Sequence, residues 1–252
     1  MTTKLFACAA LAVCFYGPAQ AAQSGRREST EALQKAVDLN PSSAKAHEQL
    51  GAALLREIIA GNVRPSADSD VAERAEHHLK RAIELAPYAS GPLMELSTLE
   101  AVLAERSADA DQRAERYKQA QDLLKQVLAL EPGKAGMYFR LASLERDQFG
   151  PAIQQAKARF SANRGPLPDS ELRHSLQQQY GSVIEDAIQN GQKAAEMATH
   201  SPQPLLLMSR LLRERALIRD TPDEYAGDMH SADDWQRQFL TAGGHLEGVA
   251  AK

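Results

Sequence analysis

The chain has 252 residues, 43% of them hydrophobic and 25% charged, which is ordinary for a folded protein and enough for one sizeable core. Aromatics make up only 5%, and alanine and leucine dominate the apolar set; this favours helix, because strands draw on β-branched and aromatic residues. A formal charge of -4, with both signs interspersed, excludes the basic footprint of a nucleic-acid binder.

Residues 1–21 read as an export leader. Lys4 is a short basic segment, Leu5 to Tyr16 is an apolar run, and Ala19-Gln20-Ala21 is a cleavage site of the small-x-small type. The run is shorter than the roughly 20 residues that span a bilayer. Cleavage before Ala22 is expected, placing the mature chain in a periplasm or outside the cell, without a transmembrane span. Both cysteines, Cys8 and Cys14, fall in the leader, so the mature chain is expected to lack disulfides and thiolate chemistry. Lipid anchoring is the lesser alternative, because Val13 precedes Cys14 where a small residue is required.

Residues 22–28 are small and polar, a terminus expected to be disordered; a helical repeat region is expected over 29–242 and a tail over 243–252. The first helix starts near Ser29, carries Ala32, Leu33, Ala36, Val37 and Leu39, and stops at Pro41. Ser43 caps a second helix through Leu50, Leu54, Leu55 and Ile58. Gly61 to Asp70 reads as a loop ending in an Asp70 cap. A helix from Val71 to Ala86 holds Ala75, Leu79, Ala82, Ile83 and Leu85, and after Pro87 another holds Leu93, Leu96 and Leu99. A polar loop at Ser107 to Asp111 leads to a helix with Ala120, Leu124, Val127, Leu128 and Leu130, then to Pro132 and a helix with Tyr138, Leu141, Ala142 and Leu144. Gly150-Pro151, a break at 164–168 and a long helix from Asp169 through Gly181 and Gly191 follow. After Pro202 comes an apolar helix from Leu205 to Arg219. Thr221-Pro222-Asp223-Glu224 opens a last, acidic helix that ends at Gly243-Gly244.

The prolines align these segments. Eight residues before Pro41, Pro87 and Pro132 stand Leu33, Leu79 and Leu124; five before stand Ala36, Ala82 and Val127; two before stand Leu39, Leu85 and Leu130. Nine after stand Leu50, Leu96 and Leu141, each followed by a small residue, Gly51, Ser97 or Ala142. Around Pro202 the frame keeps Leu211 and Met197 but degrades elsewhere.

In these residues the chain resembles the tetratricopeptide repeat family over about Ser29 to Ile218. The resemblance implies an all-α fold, a solenoid of antiparallel helix pairs closed by a C-terminal capping helix. The period departs from the family's 34 residues: the prolines are 46, 45 and 70 apart. Loops between paired helices are expected to absorb the first two excesses, and one additional helix pair the third.

Catalytic patterns are missing. No glycine-rich phosphate loop follows a strand, and no nucleophile elbow is present, so no enzyme, cofactor or resident metal is expected. Glu76-His77-His78 diverges around a helix and reads as a solvated face; Asp228, His230, Asp233 and Asp234 read as the polar surface of the cap. Trp235 with Phe239 is expected to pack that cap, and Tyr138 falls at the family's core aromatic position. The family's partner-contacting positions fall on Lys45, Glu48, Ala52 and Arg56, on Met94, Thr98 and Val102, on Phe139, Ser143 and Arg146, and on Arg213. Arg56, Arg146 and Arg213 could offer two-pronged donors to a carboxylate. The lysine and asparagine clamp of chaperone-tail-binding members is absent. The resemblance therefore implies an exported scaffold that takes another protein or peptide in a concave groove, with envelope association possible. The alternatives are a helical module of a TonB-like energy-transducing or outer-membrane assembly system, and a helical enzyme binding metal or a small molecule.

Overall fold

The computed structural model describes residues 30–61, 65–160, 165–198 and 201–243. The expected leader, the 22–28 terminus and all of the tail except Gly243 lie outside the described residues. Among the described residues nine helices follow in order: α1 (30–39), α2 (Ala44–Ile59), α3 (Pro65–Leu85), α4 (Ser90–Arg106), α5 (Ala110–Leu130), α6 (Ala135–Arg159), α7 (Ser170–Met197), α8 (Pro202–Leu217) and α9 (Pro222–Thr241).

Their ends obey local chemistry. Ser43 Oγ accepts the Ala46 amide at 3.2 Å, Asp109 Oδ1 that of Gln112 at 2.8 Å, and Asp169 Oδ1 that of Leu172 at 3.0 Å. At α9 the expected start is met by a full capping box: Thr221 Oγ1 accepts from the Glu224 amide and the Glu224 carboxylate from the Thr221 amide. Beyond α9, Gly243 turns the chain at φ +81°, where a side chain would be strained.

The most extensive contacts join α2 with α3, α4 with α5, α6 with α7, and α8 with α9. The proline turns therefore connect neighbouring hairpins. The core is correspondingly layered into three clusters, over α1–α4, α4–α7 and α6–α9, as expected where each repeat touches only its neighbours. Leu50, Leu96, Leu141 and Leu211, nine residues after each proline, are all buried. The small residues after the first two permit close approach: a Cβ on Gly51 would stand 2.6 Å from Leu79 Cγ, and Ser97 Oγ donates to the Ala120 carbonyl at 2.9 Å.

Four expectations are corrected. The leucines two before the prolines are not core: Leu39 is 88% exposed, Leu130 37%, and Leu85 half-buried. All three stand in the last turn of their helices, beside the proline turns. Ala36 is exposed as well, and Val37 is the buried residue of α1.

The expected loops are mostly helix. α3 begins at Pro65, so Asp70 lies inside it and does not cap it; α4 runs to Arg106 and Asp109 caps α5, leaving only 107–109 as a link. Proline at a first helical position gives up no bond, because the opening amides of a helix lack partners.

The 70-residue interval holds no additional helix pair. It is filled by α6, 25 residues long, and α7, 28 residues long. α6 continues through Gly150-Pro151, with Phe149 and Ile153 fully buried on either side of an exposed Pro151. Pro151 leaves the Asp147 carbonyl without its helical donor, and the Tyr117 hydroxyl of α5 points at that oxygen from 3.5 Å, a long contact. The link into α7 is anchored by buried Leu167, whose amide donates to the Leu217 carbonyl at 2.8 Å.

Lastly, His78 is not on a solvated face and Asp228 is not on the cap's polar surface. Both are buried. Trp235 and Phe239 do pack α9 onto the stack, and Tyr138 is buried with Lys193 Nζ 4.4 Å above its ring.

Candidate functional site

Among the even helices α2 packs on α4 and α6 on α8, and an arginine of α6 bridges the two pairs. Glu48 of α2 lies over Gly91 of α4, where a Cβ would come within 2.5 Å of its carboxylate. Arg140 of α6 reaches back to α4, donating from Nη2 to Thr98 Oγ1 at 2.6 Å. Arg146 of α6 grips Glu214 of α8 through Nε at 3.0 Å and Nη2 at 2.6 Å. Every partner-contacting position implied by the resemblance lies on these helices.

Those positions divide into two kinds. Lys45 and Arg56 are exposed; Lys45 pairs with Glu48 at 2.9 Å, and Arg56 bonds the Ala52 carbonyl of its own helix. Met94, Thr98 and Ser143 are half-buried, with both hydroxyls returned to carbonyls one turn back, Met94 and Phe139. Val102 and Phe139 serve as filler packed against core clusters. Arg146 and Arg213 already have partners within the chain. Glu214, buried and also bonded by the Gln154 amide, holds Arg146; Asp233 at 2.6 Å and Gln236 at 2.7 Å hold Arg213. Two participants escaped sequence reasoning. Arg140 sits beside a matched position, and Glu214 interrupts the apolar stripe of α8, a signal legible in hindsight.

Buried ionisable groups elsewhere serve the packing. Asp228 of α9 accepts from Arg215 Nη2 at 2.6 Å and Arg219 Nε at 2.7 Å; burial draws its carboxyl upward, but these bonds outweigh it and leave it below the usual range. Glu100 pairs with Arg116 at 2.8 Å, with burial raising its pKa. Burial also raises Tyr117 to about 12. Among the described residues no three His, Cys, Asp or Glu side chains are grouped to hold a metal, and no helix is long and apolar enough to cross a membrane. An open depression of about 650 Å³ between α7, α8 and α9 is lined by Ala195, Ala198, Leu205, Asp234, Arg237 and Gln238.

No known family profile matches the sequence, and no curated protein is similar enough to count as a relative. Solved structures do match. A crystal structure of MamA aligns with TM-score 0.50 and 13% identity, covering 90% of this chain and 97% of that one. A second MamA crystal structure gives TM-score 0.51 and 12% identity over 93% and 92%. TTC0263, described as a thermophilic TPR protein in Thermus thermophilus, aligns with TM-score 0.47 and 14% identity over 88% and 92%.

The fold is that of tetratricopeptide repeats. In repeat terms α2, α4, α6 and α8 are the first helices of four units and α3, α5, α7 and α9 the second, with α1 preceding them. Compared with a 34-residue repeat, the third unit is lengthened within its helices, at about 1.5 Å of rise per added residue.

Proposed function

We propose that this chain is a non-enzymatic scaffold that receives a segment of another protein along the row of α2, α4, α6 and α8, as a groove running the length of the stack. The observation that supports this is the linkage of the four first helices through Glu48 over Gly91, Arg140 to Thr98 and Arg146 to Glu214, which holds them as one surface. Shallow contacts along such a surface add up without a deep pocket. Lys45, Arg56 and Arg140 are its exposed cations, Lys45 standing beside Glu48 and Arg140 bridging to Thr98; Arg146 and Arg213 hold the wall in shape. The protein works after export, in the periplasm or outside the cell, in contact with envelope components.

Crosslinking in cells followed by mass spectrometry tests the surface. The full chain is expected to enrich a protein whose crosslinks fall on α2, α4 and α6, and an Arg56→Glu, Arg140→Glu double variant to lose it while keeping its helical circular dichroism. An unchanged crosslink set in that variant refutes the groove. N-terminal sequencing of the fractionated protein tests export: a chain beginning at Ala22 is expected, and an intact Met1 in the cytosolic fraction overturns it.

A further inference from the structure

Between α2 and α3 two imidazoles are buried side by side, their planes tilted by 39°. His47 of α2 is 5% exposed and His78 of α3 7%; their Nδ1 atoms are 3.0 Å apart and their ring centroids 5.2 Å. His47 Nε2 stands 3.1 Å from the Pro41 carbonyl in the turn between α1 and α2. A carbonyl only accepts, so the hydrogen of neutral His47 is on Nε2 and its Nδ1 offers a lone pair. His78 must then donate from Nδ1. One arrangement of protons satisfies the chain His78 to His47 to Pro41, and it joins three elements.

A further proton is poorly accommodated. On His47 Nδ1 it would turn that nitrogen from acceptor to donor and oblige His78 to move its hydrogen to Nε2, leaving the charge buried between the two rings. On His78 it would place a charge in a buried site that faces Arg74 and His77 of its own helix and His47 of α2, with Asp38 of α1 the one favourable neighbour. Among the described contacts, α1 is held by buried Val37, half-buried Leu33, a Thr30 to Glu57 hydrogen bond of 2.6 Å and an Arg74 to Gln34 bond of 3.4 Å. In a solenoid an end unit can open while the remainder stays folded.

We propose that the His47–His78 pair is an acid-sensitive latch that holds α1 and the Pro41 turn against α2 and α3, so that mild acid opens this end of the solenoid locally. Burial first, and then the neighbouring His47, push His78 from 6.5 to about 4. A histidine kept neutral by the fold contributes stability that is fully present above pH 6.5 and is lost as pH falls toward 4.

The test is hydrogen exchange of the full chain between pH 7 and pH 5, corrected for intrinsic chemistry, with α8 as internal reference. Those two values predict that opening of residues 30–47 rises about 20-fold at pH 5 relative to pH 7 while α8 is unchanged. A His78→Gln variant keeps a donor toward His47 without titrating and should abolish the difference. Equal behaviour of α1 and α8, or the same acid response in His78→Gln, overturns the latch. Should that variant misfold, an NMR titration of His78 in the unaltered chain decides: a midpoint below 5 supports the latch, and one at or above 6.5 overturns it.

Discussion

Replacing Glu145 by glutamine would separate burial from charge inside the α6–α7 hairpin. Glu145 is 1% exposed, and its two carboxylate oxygens accept only from Asn190 Nδ2, at 3.1 and 3.0 Å. Burial pushes its carboxyl up to about 7; the Asn190 bond and distant Lys125 oppose this weakly, and Asp186 adds to it. The fold therefore holds this proton more tightly than the unfolded chain does. Its contribution to stability is complete below pH 4.5 and is lost as pH rises through 7. Between pH 5 and pH 8 the loss amounts to about 2.5 kcal/mol. Glutamine has nearly the same shape and no proton to release. In urea denaturation at the two pH values, the stability of the variant relative to the unaltered chain should rise by about 2.5 kcal/mol at the higher pH. His78, common to both proteins, cancels from the difference. A difference that stays constant from pH 5 to pH 8 would mean the buried carboxyl is not held protonated, and the reasoning fails.

Other substitutions test the packing of charge and backbone. Asp228→Asn should destabilise by about 3 kcal/mol, since it leaves Arg219 without its carboxylate and Arg215 with only Glu185 at 2.8 Å. Because the Asp228 pKa is lowered, its contribution is present above the usual carboxylate range and fades only in stronger acid; thermal melts at neutral pH showing an unchanged midpoint would refute the role. Arg146→Met should cost about 3–5 kcal/mol by stranding buried Glu214. Arg56→Met should stay within about 0.5 kcal/mol; similar urea midpoints for the two would mean that Arg146 is free for a partner. Gly51→Ala should destabilise by about 1–3 kcal/mol, because its Cβ would meet Leu79 at 2.6 Å and the Ala75 carbonyl at 3.3 Å. Gly191→Ala meets the flexible end of Met208 at 2.8 Å and should cost less; the reverse order in chemical denaturation would contradict this reading of the contacts.

Leucines at fixed distances from Pro41, Pro87 and Pro132 were enough to place most of the described helices, and local signals gave the cap at Thr221 and the small residues after Leu50, Leu96 and Leu141. These are local matters: each depends on which face of one helix is apolar and where a turn stops it. Tertiary structure alone decided that hairpins pair across the longer links, that excess residues lengthen helices, and that Leu39 and Leu130 face water in the last turns of their helices. It also decided that Glu145, Glu214, His78 and Asp228 go inside. A periodic stripe names a helix's inward face but carries no record of how far the neighbouring helix extends over it, and a charged residue is tolerated inside only when a partner from another helix reaches it.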